Sequence, residues 1–159
     1  MRTLLAVLGI ALCTAAGART AGVATLTRPA SAAVELSSTR AGARPVVLTL
    51  RLRYEMQCAR PGPGPLVITF PAGERLPAQI AAGDVLVDDG PAAGVHRSGQ
   101  TVSVGLPIRH GPLCDVIAPS VLIVVFDRGA QLGNPSRPGH YAIAAQTPRV
   151  SARTSIAIR

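Results

Sequence analysis

Three histidines, a cluster of carboxylates and two late cysteines are the residues of this chain from which chemistry could be built. His96, His110 and His140 all lie in or beside turn-rich stretches, with no HExxH and no close His pair. They read as solvated turn histidines rather than as metal ligands. The stretch DVLVDDG brings Asp84, Asp88 and Asp89 together. Their oxygens suit calcium, but the spacing is not that of an EF-hand, and Asp and Gly also make turns on their own account. Calcium near Asp88 and Asp89 therefore stays open, and no metal or cofactor is assigned. No G-x-S-x-G elbow occurs, and Ser98, close to His96 in HRSGQ, has the setting of a hairpin turn. Asp115 and Asp127 could act as a glycosidase-like acid pair only if folding brought them together. No catalytic residue is assigned, and the expectation is a protein that is not an enzyme.

The N-terminus speaks to compartment. Arg2 supplies a positive start, and Leu4 to Cys13 is apolar apart from Gly9. Ala16-Gly17-Ala18 follows with the small-x-small pattern that signal peptidases cut. Residues 1–18 therefore read as a secretory signal peptide, cleaved after Ala18, too short and wrongly flanked for a membrane anchor. A second small-x-small site, Ala30-Ser31-Ala32, is separated from the apolar run by Arg19 and Arg28. Leu12 is too large for the position before a lipobox cysteine, so Cys13 belongs to the discarded segment. No later stretch reaches the roughly 18 apolar residues needed to span a bilayer. The expected product is secreted, and associated at most with the cell envelope.

Removal of 18 from 159 residues leaves a chain of 141, a size suited to one domain with a real core. Cys58 and Cys114 remain, and in an oxidising compartment an even pair reads as one disulfide. The loop it would close is long, which the chain-entropy model values at about 4 kcal/mol. Metal binding by two cysteines without CxxC spacing is the weaker alternative.

Charge is one-sided. All 16 basic residues are arginine, against 8 acids, for a formal net charge of +8. Such a balance favours anionic partners, including wall polymers and lipid headgroups. A GC-rich genome writes the same composition by default, so both readings stand. Nucleic acid is not expected as a partner, because aromatics are few and no RRM, KH or zinc motif is present.

The elements that must position these residues are strands. In VVLTLRLRYEMQC, Leu48, Leu50, Leu52, Tyr54, Met56 and Cys58 alternate with Thr49, Arg51, Arg53, Glu55 and Gln57. Period two over that length predicts a strand with one dry and one wet face. It also puts Arg51 and Arg53 side by side on the wet face, as a candidate contact for an anionic polymer. Further strands are predicted at Ala33–Ser37, LVITF, Val85–Val87, Val95–Arg97, Thr101–Leu106, Val121–Asp127, Tyr141–Ala145 and Val150–Ile158. VLIVVF is apolar throughout and predicts a central strand covered on both faces. Pro77 to Gly83 carries the one helical hint, of one or two turns. The fold class is therefore all-β, a single Ig-like β-sandwich over residues 33–159, preceded by a loose segment over 19–32. Its predicted core comprises Leu48, Leu50, Leu52, Val102, Val104, Ile123, Val125, Ile143 and Ile156.

The stretch GNPSRPGHYAI (133–143) places a dense turn directly before a tyrosine and one more strand. In Ig-like sandwiches a Tyr near the start of the penultimate strand folds its hydroxyl back onto upstream backbone, and Gly139-His140-Tyr141 fits such a tyrosine corner. From Leu66 onward the order of motifs resembles a family. Phe70 to Gly73 (FPAG), Pro77 to Ile80 (P-x-x-I), Val85 to Val87, Gly99 to Val102 and Asn134 to Tyr141 are similar to the Ig-like β-sandwich modules repeated in Gram-positive surface and S-layer-associated proteins. That resemblance implies an adhesive, spacer or structural module with no catalytic residues to carry over. The cysteine pair and the occurrence of one module alone depart from it.

Two function classes follow. The first is a secreted, non-catalytic binding or structural module of the bacterial cell envelope, meeting anionic wall polymers or another surface protein. The alternative is a small secreted hydrolase or metal-dependent enzyme on the same scaffold, which would need a His and carboxylates converging in a polar cleft.

Overall fold

A computed structural model describes residues 28–53, 58–59, 64–107, 116–117, 121–148 and 150–159. Residues 1–18, where a signal peptide is expected, and Cys114 lie outside the described residues, as does the side chain of Cys58, and the disulfide expectation lies there with them.

The described residues form an all-β sandwich. Its strands, in chain order, are β1 (Arg28–Pro29), β2 (Ser31–Leu36), β3 (Leu48–Arg53), β4 (Cys58–Ala59), β5 (Leu66–Thr69), β6 (Val85–Val87) and β7 (Gly90–Pro91). They continue with β8 (Gly94–Ser98), β9 (Thr101–Gly105), β10 (Val116–Ile117), β11 (Val121–Phe126), β12 (Gly139–Gln146) and β13 (Val150–Ile158). One sheet runs β1-β13-β12-β5-β9-β8, the other β2-β3-β11-β6-β7, and β4 pairs with β10. All pairings are antiparallel except that of β1 with β13.

The alternation in β3 explains its place. Leu48, Leu50 and Leu52 are fully buried, while Arg51 and Arg53 are exposed. Across the interior lie Leu66 and Ile68 of β5, Val102 and Val104 of β9, and Ile143 and Ala145 of β12. Apolar inner faces of two sheets exclude water from each other, which is what holds such a sandwich together. The chain's two phenylalanines join the layers: Phe70 and Phe126 meet edge to face, 5.7 Å between centroids at 81°.

Strand β11 corrects one expectation. It is interior to its sheet, between β3 and β6, but it is not covered on both faces. Leu122, Val124 and Phe126 point into the core, and Val121, Ile123 and Val125 lie half-buried on the outer side. Ile123 and Val125 are therefore not core residues. A run that is apolar at every position carries no parity signal, and the pairing of Val124 with Leu50 and of Phe126 with Leu48 sets the face instead.

Other differences are smaller. β2 begins at Ser31 rather than Ala33, and Arg28–Pro29 pairs beside Val150 and Ser151. Small Ser and Ala side chains give no apolar alternation to read there. The helical hint reduces to one 3-10 turn at Ala82–Asp84. A second 3-10 turn, Arg128–Ala130, is capped by the Asp127 carboxylate, which accepts from the Gly129 N–H at 2.7 Å.

Candidate functional site

Among the described residues the two histidines stand far apart, whereas the carboxylates of Asp84 and Asp127 both come up against Gly129. His96 lies on β8 and His140 on β12, with β9 and β5 between them. Three strand spacings separate the two by at least about 14 Å. Asp88 and Asp89, with φ of 48° and 68°, form the two-residue turn between β6 and β7, a type I′ geometry that Asp tolerates. The Asp88 carboxylate accepts the Ile123 N–H at 2.9 Å, while its own N–H donates to the Ile123 carbonyl at 2.9 Å. That acid extends the sheet ladder. Ser98 sits at the mouth of a hairpin whose turn is Gly99-Gln100, with Gly99 at φ 59°. Asp115 and His110 lie outside the described residues. No group of three or more His, Cys, Asp or Glu side chains with metal-binding geometry occurs among the described residues. A cleft of about 200 Å³ opens between β2 and β13, with Val34, Leu36, Ile156 and Arg159 in its lining and no acid or histidine.

A broad surface emerges instead on the outer side of the five-stranded sheet. Arg51 and Arg53 both project there, about 7 Å apart along β3. Arg51 Nε lies 3.5 Å from Glu35 Oε1, and both side chains are well exposed, at 46% and 68%. Such a pair is worth little and breaks readily. Arg53 has no ion pair among the described residues. Pairing fixes what stands next to this basic row: Val121 opposite Arg53, Ile123 opposite Arg51, Val125 opposite Thr49. Leu86 and Pro91 continue the apolar side across β6 and β7. One half of the face thus carries Arg51 and Arg53 with Glu35 beside them, and the other is apolar. The outer side of the six-stranded sheet carries mostly small or polar residues, such as Thr69, Ser103, Ser151 and Ser155. Sequence periodicity exposed the arginines, whereas the apolar row beside them comes from a strand about seventy residues away.

The turn before β12 is a structural knot. Asn134 is fully buried, and its Nδ2 donates to the carbonyls of Ser38 at 2.8 Å and Arg40 at 2.9 Å. Its backbone N–H donates to Ala43, and the Gly42 N–H donates to Pro135. Gly133 and Arg75 exchange both backbone hydrogen bonds, at 2.7 and 2.9 Å. Three segments, 38–46, 71–75 and 132–135, are therefore joined at one end of the sandwich.

Tyr141 follows this knot, half-buried, and its hydroxyl donates to the Arg137 carbonyl at 2.8 Å. Gly139, at φ 156°, leaves room for the ring: a Cβ there would stand 3.4 Å from Tyr141 Cε2. One hydrogen bond at an exposed edge contributes about 0.5–1.5 kcal/mol. Tyr141→Phe is expected to lower the midpoint of thermal unfolding by about 2–4 °C per kcal/mol lost, with an unchanged circular dichroism spectrum. An unchanged midpoint would show that the bond contributes nothing.

Sequence reading missed one residue altogether. Glu74 is only 4% exposed, and neither carboxyl oxygen has a hydrogen-bond partner among the described residues. Burial pushes its carboxyl up from 4.5 to about 7. An acid closing a Pro-Ala-Gly turn looks solvated in sequence, and only the tertiary contacts of the knot bury it.

No family model matches the chain, and no curated protein sequence matches it. Among solved structures, the crystal structure of BslA, a bacterial hydrophobin, has a similar fold, with a TM-score of 0.56 over 82% of this chain and 98% of that one. Sequence identity is 17%, so the likeness is one of fold.

Proposed function

We propose that the chain is a secreted, non-catalytic structural or binding module of the bacterial cell envelope, which acts through the outer face of its five-stranded sheet and meets anionic wall polymers there. The observation that carries this reading is the row of Arg51 and Arg53 beside Val121, Ile123 and Val125. Two guanidinium groups at strand spacing suit successive phosphates or carboxylates of a polymer. The adjacent apolar row lowers the cost of bringing a large surface against the sheet. The fold likeness to a bacterial hydrophobin supports a surface-acting role over a catalytic one. The hydrolase alternative would need a histidine beside the Asp84 and Asp127 carboxylates at Gly129, and the described histidines, His96 and His140, lie on the other sheet. No described helix is long and apolar enough to cross a membrane.

Binding to purified cell wall should weaken steeply as salt rises. Arg51→Glu with Arg53→Glu should reduce it more than Arg153→Glu with Arg159→Glu, although both pairs change net charge equally. Equal loss from the two pairs would mean general charge attraction. Salt-insensitive retention would remove the electrostatic mechanism.

A further inference from the structure

The knot at the end of the sandwich contains an arrangement that its hydrogen bonds do not explain. Four buried side-chain oxygens lack any partner among the described residues: Glu74 Oε1 and Oε2, Gln100 Oε1 and Asn134 Oδ1. The bridge between Arg75 and Gly133 brings the chain at Glu74 alongside the chain at Asn134. Arg75 is exposed, whereas Glu74 and Asn134 are both buried. Gln100 reaches the same place from the β8–β9 hairpin, with its Nε2 donating to the Glu74 carbonyl at 3.1 Å. The Asn134 carboxamide spends both its N–H donors on backbone carbonyls and that of Gln100 spends one, while the oxygens of both stay unpaired, as do those of Glu74. Four unpaired oxygens outnumber the one remaining amide N–H, that of Gln100, so the site is short of donors. A proton on Glu74 supplies one without adding volume to a packed interior.

We propose that Glu74 is a proton-carrying clasp: in the folded protein its neutral carboxyl donates to a carboxamide oxygen of Asn134 or Gln100, and loss of that proton loosens the end of the sandwich where the 71–75 turn, the 98–101 hairpin and the 132–135 turn meet. Ionisation would leave a buried charge facing two carbonyl-type oxygens, an arrangement that proteins avoid. The charged groups on the joined segments are Arg40 and Arg44, Arg75 beside Glu74, Arg97 on the hairpin, Asp127 and Arg128 ahead of Leu132, and Arg137 and His140 beyond Asn134. Burial alone accounts for the raised carboxyl, with none of these charges acting as its counterion.

The sign follows from linkage. A carboxyl at 4.5 when unfolded and about 7 when folded binds more protons in the folded state between those values. Stability from this group is complete below pH 4.5, falls as pH rises toward 7, and stays lost above that. The ratio of unfolded to folded protein attributable to Glu74 should rise on the order of a hundredfold between pH 4.5 and pH 8. Glu74→Gln keeps the shape and removes the titration. Urea unfolding from pH 4.5 to 8 should show the wild type losing stability with rising pH and Glu74→Gln losing much less, so that the variant becomes the more stable protein at pH 8. Slopes left by Glu74→Gln belong to other groups. Infrared titration of the wild type checks the same point without a variant: a buried carboxylic acid band should persist at pH 6 and disappear by pH 8. Parallel pH profiles for the two proteins, or a carboxyl already ionised at pH 5.5, would overturn the proposal. So would calcium chloride raising the melting temperature of the wild type at pH 8 but not that of Glu74→Gln, because the oxygens would then hold a cation instead of a proton.

Discussion

Asn134→Ala is expected to cost about 2–4 kcal/mol of unfolding free energy, a large part of what a domain of this size possesses. The residue is fully buried, and its one NH₂ group donates to two carbonyls, those of Ser38 and Arg40. Truncation strands both acceptors and opens a void beneath them. Each stranded acceptor costs about 1–3 kcal/mol where water cannot reach it. The Arg40 segment is exposed and can recruit water, which keeps the total below the sum of two fully buried losses. Asn134→Asp should be worse than Asn134→Ala, since a carboxylate would face the same two carbonyls with no donor. Urea denaturation of the three proteins checks the order. A loss under about 1 kcal/mol for alanine, or a milder effect for aspartate, would mean that the 38–46 segment is held by its backbone bonds alone.

This dependence also explains why the turn reads so densely in sequence. Gly133, Asn134 and Pro135 crowd together because three chain segments meet there, which turn chemistry could signal but not specify. What was legible elsewhere followed the same rule. The alternation at Leu48–Arg53 carried its own face assignment, because leucine and arginine differ so sharply in their cost of burial. The all-β class was legible for the same reason. Val121–Phe126 could not be oriented, because all six side chains tolerate the interior. Gly90–Pro91 has no strand signal at all and pairs only because the Asp88-Asp89 turn folds it back onto Leu86 and Val87. In the candidate surface, Arg51 and Arg53 could be placed side by side from period two alone, whereas their apolar neighbours depended on long-range register. Glu74 was invisible for a related reason: sequence gives its chemical type, and only the joining of distant turns decides whether water reaches it.

The face assignment of β11 can be tested by two truncations three residues apart. Phe126 is fully buried and, with Phe70, is the largest of the buried side chains among the described residues. It ends a strand of one sheet, and its edge-to-face partner Phe70 follows a strand of the other. Phe126→Ala therefore removes apolar contact from both layers and leaves a cavity between them. Such truncations cost about 3–5 kcal/mol, of which the aromatic pairing supplies roughly 0.5–1.5 kcal/mol beyond area. Ile123, by contrast, lies half-buried on the outer face, where neighbouring side chains and water close over a shortened residue. Ile123→Ala should cost about 1 kcal/mol or less, although the residue is as hydrophobic as its neighbours. A double-mutant cycle of Phe126→Leu with Phe70→Leu should give a coupling of roughly 0.5–1.5 kcal/mol, while Ile123→Ala should add independently to either. Comparable losses from Ile123→Ala and Phe126→Ala would mean that both faces of β11 are covered. The outer row of Val121, Ile123 and Val125 would then be closed to any partner, and the surface role drawn from it would fall with it.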